Sequence, residues 1–284
     1  MPARFAPSPT GWLHLGHAYA ALFAWRQAME TDGRFLVRLE DIDTTRARPE
    51  YETALFEDLA WLGVKWEEPV RRQSAHFADY QAALDQLAAR ELLYPCFCTR
   101  REIQEEIARA ANAPHGPDGA LYPGTCRDLE ENERARRIAS GQPYALRLHM
   151  SRALAAAAPE MKWQDLDHGI HTATPEIFGD VVLARKDTPA SYHLAVVVDD
   201  ALQGITHVTR GADLLPATHL HRLLIALLGL PVPLWRHHRL ITDAQGRRLA
   251  KRDDARSLRQ LRAQGWTPAD VCRALDLPPA RDSA

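Results

Sequence analysis

The start of the chain contains the pattern that most constrains its fold, a strand, a loop, a helix and a second strand in succession. Residues 4–6 predict a short strand, and the prolines within 7–11 mark a loop that continues neither regular structure. Apolar residues then recur at three- and four-residue spacing over 17–31, which predicts a helix that ends at Asp32-Gly33. Residues 35–39 predict a second strand. This order is a βαβ unit and predicts an α/β fold.

Length and charge limit the classes of protein that fit. The 284 residues exceed the usual size of one domain, so we expect one large α/β unit with an insertion, or two domains that share an interface. A net charge of −2 provides no overall basic field, so a nucleic-acid partner requires a local patch. Segment 236–262, which is rich in arginine, is the one candidate, and we expect it to contact phosphates.

We expect a cytoplasmic protein with no membrane partner. The longest apolar stretch, 223–235, contains one glycine and two prolines and is shorter than the roughly 20 residues of a spanning helix. The N-terminus does not follow the pattern of a signal peptide, because His14 and His17 interrupt its apolar run.

Further along, the composition separates a core from an insertion. Helices are predicted from Pro49 to before Gly63, over 76–93 and over 214–228. From about residue 94 to 186 the chain is first rich in cysteine, then in proline and glycine, and then charged and helical over 129–138. Strand or buried-segment patterns resume at 179–185 and 194–198, and a further strand is predicted at 205–209.

The loop between the first strand and the first helix has the properties of an anion site. Amide groups at a helix N-terminus attract phosphate, Gly16 allows a ligand to approach closely, and His14 and His17 add hydrogen-bond donors. The alternative is that the two histidines are a loop residue and a helix cap.

A second cationic element lies at 247–252, where Arg247, Arg248, Lys251 and Arg252 follow a polar turn. A mobile cationic loop can close over charge that develops on a departing pyrophosphate. The alternative is a solvated basic turn.

Three cysteines, Cys96, Cys98 and Cys126, lie within the insertion and match a tetrahedral zinc site that lacks one ligand. Spacing leaves the fourth ligand open between His115 and Tyr122, and the alternative to a metal site is three small buried thiols. Zinc here would stabilise an insertion and would not activate water, so its predicted role is structural. Cys272 stands apart, as a core or surface residue.

Taken together, these motifs resemble those of a known enzyme family. His14-Leu15-Gly16-His17 resembles the HIGH signature and residues 248–252 resemble a degenerate KMSKS loop, the pair that marks class I aminoacyl-tRNA synthetases. Residues 4–11 and 39–46 look like the corresponding stretches of the glutamyl branch, and 63–74 and 198–214 are similar too. The loop departs from the family pattern, with Arg248 in place of the first lysine and Ala250 in place of serine.

This resemblance implies a Rossmann-type parallel sheet interrupted by an insertion with a zinc site and followed by a short helical C-terminal region. It divides the chain into residues 1–93 and 187–240 as the halves of the catalytic domain, 94–186 as a zinc-containing, acceptor-binding-like insertion, and 241–284 as the KMSKS-like loop and C-terminal region. Glutamyl-tRNA synthetases also carry a large anticodon-binding region, for which we expect no room in the residues that follow the loop.

Length, motifs and the Cys-x-Cys insertion together resemble the glutamyl-Q tRNA(Asp) synthetase family. The resemblance implies that ATP and Mg²⁺ activate L-glutamate to glutamyl-adenylate without tRNA, after which glutamate is transferred to the queuosine base at the wobble position of tRNA(Asp). A monomer is expected. Two other readings stay open. One is a truncated glutamyl-tRNA synthetase that charges a tRNA 3′ end, and the other is a non-catalytic tRNA-binding or regulatory relative, in which Arg248 and Ala250 mark a decayed site.

The resemblance also assigns individual residues. Those implied around glutamate are Arg4, Phe5, Ala6, Pro7, Ser8, Glu40, Tyr192 and Arg210. Those implied around ATP are His14, Gly16, His17, Arg248, Leu249 and Lys251, of which His14, His17 and Lys251 are the catalytic set. The family pattern favours Tyr122 as the ligand that joins Cys96, Cys98 and Cys126 on zinc. We expect guanidinium groups to bind the carboxylates of glutamate and Glu40 to bind its ammonium. The alternative for Glu40 is a solvated strand end or helix cap.

Overall fold

The computed structural model describes residues 1–109, 115–242 and 256–278. The strands of these ranges are β1 (Ala3–Phe5), β2 (Phe35–Leu39), β3 (Glu67–Arg72), β4 (Leu93–Cys96), β5 (His115–Gly116), β6 (Gly119–Ala120), β7 (Ala145–Leu148), β8 (Lys162–Asp165), β9 (Gly169–Thr172), β10 (Val182–Ala184), β11 (His207–Gly211) and β12 (Leu234–His238). The helices are α1 (Leu15–Glu30), α2 (Pro49–Trp61), α3 (Phe77–Ala88), α4 (Arg100–Arg109), α5 (Glu131–Ala139), α6 (Met150–Ala156), α7 (Tyr192–Leu202), α8 (Ala217–Leu228), α9 (Leu258–Ala263) and α10 (Pro268–Ala274).

The predicted βαβ unit is confirmed. Strands β1 and β2 pair in parallel, with Arg4 opposite Leu36, and α1 connects them. Every residue of β2 is buried, as expected for a central strand of a parallel sheet covered on both faces. Helix α1 buries a stripe of small and apolar side chains that includes Ala18, Ala21 and Leu22.

A large sheet of seven strands organises the molecule, in the order β3-β2-β1-β11-β12-β8-β9. All neighbouring pairs are parallel except β8 and β9. Strand β1 lies between β2, which follows it closely in sequence, and β11, which follows it by about two hundred residues. The strand order therefore reverses at β1, and ligands of open α/β sheets bind beyond the carboxyl ends of strands at such a point.

One segment predicted as a strand or buried segment, residues 194–198, is part of helix α7. All residues from Leu194 to Asp200 are buried, so the run has no exposed face to produce a helical period. A short apolar run of this kind has the same pattern in a buried strand and in a buried helix.

The segments predicted at 35–39, 205–209 and 214–228 correspond to β2, β11 and α8. Gly229 ends α8 in a left-handed conformation with φ of 67°.

The region between β4 and β10 contributes to more than one sheet. Strands β4, β7 and β10 form a separate three-stranded antiparallel sheet, and β5 and β6 form a small hairpin. The β8–β9 hairpin, in contrast, extends the large sheet beside β12. The large sheet thus includes two strands, β8 and β9, from the predicted insertion at 94–186. The division of the chain into four segments stays a prediction.

Two large hydrophobic cores stabilise the described part of the chain, beside a small cluster around the cysteines of the insertion. One contains α3, α7 and α8 together with Trp163 and Trp235. The other contains α1, α2 and the adjacent strands, and Leu258 and Leu275 of the C-terminal helices pack into it. None of the helices in the described residues is both long and apolar enough to cross a membrane.

Candidate active site

Two histidines cap the helix that begins beyond β1. His14 is the N-cap of α1, where its Nδ1 accepts a hydrogen bond from the amide of Gly16 at 3.1 Å. The amide of His14 donates in return to Nδ1 of His17 at 3.2 Å. Because both Nδ1 atoms accept, each neutral ring carries its proton on Nε2. The capping role is therefore present, and Nε2–H of each ring is a donor of the kind that a phosphate oxygen accepts.

These histidines line a cleft of about 150 Å³ at the carboxyl ends of β11 and β12. Its other walls are formed by Gly16 and Ala20 of α1, by residues just beyond β11 and by residues just beyond β12. At Gly211 an added Cβ would lie 2.4 Å from Oδ1 of Asp213 and 2.9 Å from Cδ2 of Leu240, so the missing side chain permits this close approach. The cleft thus combines a helix N-terminus with imidazole donors.

The KMSKS-like loop, with Arg248, Leu249 and Lys251, lies outside the described residues. The residues that flank it do adjoin the cleft. Ile241 lines the cleft, and Ser257 forms an isolated β-bridge with His14. The amide of Leu258 donates to the carbonyl of Leu13 at 2.8 Å, which ties the start of α9 to the same loop.

Next to this cleft, a buried ionic cluster connects β1, β2 and α7. Arg4 donates through Nε and Nη2 to the two oxygens of Asp200, at 3.0 and 3.2 Å, and through Nη1 to the carbonyl of Thr209. Arg38, whose side chain is fully buried, donates to Asp200 at 2.7 Å and to Glu40 at 3.3 Å. Burial raises the pKa of Glu40, while the charges of Arg38 and Arg4 oppose that shift. Glu40 is therefore a mostly buried, paired carboxylate and not a solvated strand end.

The loop after β1 presents the remaining predicted residues. Phe5 and Pro7 are buried, Ala6 is half-buried and Ser8 is exposed. The carbonyl of Pro7 accepts from the amide of Glu40 at 3.0 Å, which holds this loop beside the end of β2.

Arg210, at the end of β11, is buried and interacts with Tyr192 at the start of α7. It donates to Nε2 of His237 at 3.1 Å, to Nδ1 of His221 at 3.0 Å and to Oγ1 of Thr218 at 2.6 Å. Burial raises the pKa of Tyr192, so its hydroxyl stays protonated, and the charges of Arg210, Glu40, Arg4 and Asp200 also act on it. The structure thus brings Arg4, Glu40, Tyr192 and Arg210 together.

Burial also sets the charge state of His237. Its Nδ1 lies 2.6 Å from Oδ2 of Asp165, and neither side chain is exposed. Burial lowers the pKa of His237 to about 4. The charges of Arg210 and His168 also lower this pKa, whereas Asp165 raises it. Between this value and the ordinary value of about 6.5, the unfolded chain takes up a proton that the folded chain does not.

The unfolding free energy is therefore expected to fall as the pH drops from about 6.5 to about 4, by up to about 1.4 kcal/mol per pH unit for this one group. His237→Gln removes the titrating ring, so its stability is expected to depend less steeply on pH in that window. Urea unfolding of both proteins at several pH values measures the two slopes, and parallel curves would contradict the assignment. His221, whose pKa burial lowers in the same sense, stays in both proteins.

Sequence reasoning missed Arg38, His221 and the role of Asp200. A signal for Arg38 existed, because a single charge within the apolar run 35–39 requires an opposite charge once the strand is buried. The adjacent Asp199 and Asp200 end a valine-rich run and supply that charge. No local pattern pointed to His221.

The three predicted cysteines converge in the described structure. Their sulfur atoms lie within 4.8 Å of one another, and Sγ of Cys98 and Cys126 are 3.4 Å apart. The hydroxyl of Tyr122 lies 3.4 Å from Sγ of Cys96 and 3.5 Å from Sγ of Cys98. A tetrahedral zinc site requires S···S and S···O separations of about 3.8 and about 3.5 Å, given Zn–S near 2.3 Å and Zn–O near 2.0 Å. Three thiols and one phenol oxygen therefore fit zinc, whereas His115 is exposed on β5.

Comparison with known proteins places this chain in a family. The model of the class I tRNA synthetase catalytic domain, of the E and Q type, matches residues 1–278. The chain belongs to this family. Its α/β fold is accordingly the class I synthetase fold, and the chain is an enzyme of the ligase class.

Individual relatives narrow the comparison. A protein from Rhodobacter capsulatus named glutamyl-Q tRNA(Asp) synthetase is 50% identical over 98% of this chain and 100% of its own length. One from Nocardia farcinica with the same name is 46% identical over 97% of this chain and 85% of its own length. The crystal structure of a glutamate tRNA ligase from Elizabethkingia meningosepticum in complex with its amino acid has a TM-score of 0.79 and 28% identity over 95% of this chain. This chain spans 59% of that ligase.

Proposed function

We propose that this enzyme activates L-glutamate with ATP to glutamyl-adenylate without tRNA and then transfers the glutamyl group to the queuosine base at the wobble position of tRNA(Asp). The observation that carries the proposal is the 50% identity, over 98% of this chain and 100% of the relative, to a protein named glutamyl-Q tRNA(Asp) synthetase. The geometry supports it, because four predicted glutamate-binding residues converge beside the capped helix. We expect the enzyme to act as a monomer in the cytoplasm.

The ATP site we propose is the cleft at the start of α1. The Nε2–H groups of His14 and His17 and the helix N-terminus suit the triphosphate. Gly16 leaves space for the His14 ring, and Gly211 leaves space for the side chains of Asp213 and Leu240 at the edge of the cleft. Lys251 belongs to the loop that is followed by Ser257, which forms a β-bridge with His14, and it would stabilise the departing pyrophosphate. Arg248 and Leu249 of the same loop would contact ATP. Mg²⁺ bound with ATP neutralises the remaining phosphate charge.

Glutamate would bind between β1, β2, β11 and α7. Glu40 provides the carboxylate for its ammonium, and Arg210 provides a guanidinium for one of its carboxylates. Arg4 already donates through Nε and Nη2 to the two carboxylate oxygens of Asp200. It would therefore offer glutamate its remaining N–H groups but not its full charge. Tyr192 adds a hydroxyl that stays protonated.

In the first step, an oxygen of the glutamate α-carboxylate attacks the α-phosphorus of ATP in line. The bond from that phosphorus to the bridging oxygen breaks, and pyrophosphate leaves. In the second step, a hydroxyl of queuosine attacks the carbonyl carbon of the adenylate, AMP leaves, and the hydroxyl proton passes to solvent or to AMP. Positioning accounts for most of the catalysis, since no side chain of the enzyme forms a covalent bond.

A second candidate function is charging of the 3′ end of tRNA(Glu). It is favoured by a glutamate–tRNA ligase from Aquifex aeolicus that is 40% identical over 93% of this chain, although the match spans 54% of that ligase.

One assay separates these functions. Labelled glutamate, ATP and Mg²⁺ are supplied with purified tRNA(Asp) that contains or lacks queuosine, beside tRNA(Glu). We expect label on queuosine-containing tRNA(Asp) alone. Label on tRNA(Glu) would favour the second function, and no label on any tRNA, together with no glutamate-dependent pyrophosphate exchange, would favour a non-catalytic relative.

We also propose that Cys96, Cys98, Cys126 and Tyr122 hold one zinc ion, which would stabilise the insertion around β4 and β7. Cys98→Ser is expected to lower the zinc content from about one ion per chain to a small fraction and to lower the thermal midpoint, because three ligands remain.

Metal analysis of protein purified without added zinc measures the occupancy. The control is His115→Ala, which is expected to retain the metal. Tyr122→Phe, which removes only the hydroxyl, tests the fourth ligand, and a Cys98→Ser protein with full zinc would refute the site.

A further inference from the structure

Arg210 differs from the other buried arginines of the site in the partners that hold it. Arg4 and Arg38 both donate to carboxylates. The acceptors around Arg210 are the imidazoles of His221 and His237 and the hydroxyls of Thr218 and Tyr192, all of which are uncharged. A guanidinium has five N–H groups, so these four acceptors do not use all of them.

The direction of these hydrogen bonds settles which nitrogen of each histidine carries the proton. A guanidinium only donates, so Nδ1 of His221 and Nε2 of His237 must accept. The proton of His237 is then on Nδ1, 2.6 Å from Oδ2 of Asp165. The proton of His221 is on Nε2, 3.0 Å from Nδ1 of His193.

The second of these connections extends further. Once His193 accepts at Nδ1, its own proton is on Nε2, which lies 3.3 Å from Oδ2 of Asp118. Two chains of hydrogen bonds therefore start at Arg210. Both end on a carboxylate that is separated from the guanidinium by at least one imidazole.

We propose that His221 and His237 are positioning residues that hold the Arg210 guanidinium with neutral acceptors and thereby leave its charge for a carboxylate of the substrate, which sets the preference for glutamate over glutamine. This inference rests on the proposed function, in which Arg210 binds glutamate. A carboxylate at either position would neutralise Arg210 in the way that Asp200 neutralises Arg4. A carboxamide offers one oxygen and one donating NH₂ group, so it matches an uncompensated guanidinium less well.

Burial maintains this arrangement. His221 and His237 are both buried, and burial lowers the pKa of each ring. Both rings are therefore neutral near pH 7, and each can accept from Arg210.

The test compares matched pairs of variants in amino-acid-dependent ATP–pyrophosphate exchange. His221→Asn retains a neutral acceptor near the position of Nδ1, and His221→Asp has nearly the same shape but carries a charge. We expect His221→Asp to raise KM for glutamate and to lower the ratio of kcat/KM for glutamate to that for glutamine, each by about tenfold or more. His221→Asn is expected to stay within about threefold of the wild type on both measures. KM for ATP is expected to be unchanged in both.

A second pair, His237→Gln and His237→Glu, repeats the comparison on the other chain of hydrogen bonds and serves if His221→Asp does not fold. The control is His219→Asn beside His219→Asp. This residue lies on the same helix as His221 and contacts Thr174 instead of Arg210, so neither change is expected to alter the glutamate-to-glutamine ratio.

The outcomes are distinguishable. Equal losses in the Asn and Asp variants, or a glutamate-to-glutamine ratio that does not change in His221→Asp, would mean that the histidines have only a structural role and would overturn the proposal. Wild-type enzyme that shows no glutamate-dependent exchange would refute the proposed function, and this inference would fall with it.

Discussion

Replacing Arg210 by alanine is expected to lower kcat/KM for glutamate in pyrophosphate exchange by about a thousandfold. The guanidinium is buried and held at three points, so it is preorganised to bind a carboxylate. Removing one partner of a buried, hydrogen-bonded charge pair costs roughly 2–5 kcal/mol, and each 1.4 kcal/mol is about tenfold. Most of the loss should appear in KM for glutamate, because Arg210 is not among the residues that line the proposed ATP cleft.

Arg236→Ala is the matched control for this experiment. Arg236 lies on the neighbouring strand β12 and forms an ion pair with Asp167 that is partly exposed. We expect its exchange kinetics to stay within about threefold of the wild type, because surface pairs of this kind contribute little. Normal activation of glutamate by Arg210→Ala would remove Arg210 from the site.

Replacing Asp200 by alanine is expected to lower the unfolding free energy by about 3–5 kcal/mol. Asp200 accepts hydrogen bonds from both Arg4 and Arg38, and the Arg38 side chain has no exposure to solvent. Without the Asp200 carboxylate, the buried guanidinium groups of Arg4 and Arg38 lose a negative charge that they share in the wild type. Asp200→Asn, which retains an acceptor but not the charge, is expected to lose less than the alanine variant.

Equilibrium unfolding in urea measures this difference, with circular dichroism as the readout. Glu67→Ala is the control, because Glu67 pairs with Arg34 on the surface, and we expect its midpoint to match that of the wild type. Equal midpoints for Asp200→Ala and the wild type would show that solvent reaches Arg4 and Arg38 and that the cluster is not a buried ionic network.

Local patterns in the sequence were sufficient for the central fold. The alternation of strand, proline-rich loop and periodic helix predicted β1, α1 and β2, because these elements depend on short-range sterics and on burial of one face. The same reasoning left 194–198 open between a strand and another buried segment, because a helix buried on all sides has no polar face to give it a period.

Motif chemistry in the sequence also pointed to the histidines of α1 and to the three cysteines, but it left the fourth zinc ligand open between His115 and Tyr122. The resemblance to a family favoured Tyr122 and implied the residues around glutamate. Tertiary structure then placed the Tyr122 hydroxyl against two thiols and His115 on an exposed strand. Folding decided this because residues 24 to 26 positions apart meet only when the insertion packs.

By itself, then, the sequence determined the βαβ start, the α/β class and the types of residue that carry the chemistry, all of which follow from local periodicity and side-chain chemistry. Only the tertiary structure decided how the charges are paired. Arg38 and Asp200 are 162 residues apart, and Arg210 receives its neutral acceptors from α8 and β12. Such pairs form because the parallel sheet brings the carboxyl ends of distant strands to one edge, where burial allows a charge only if an acceptor or an opposite charge lies within hydrogen-bonding distance.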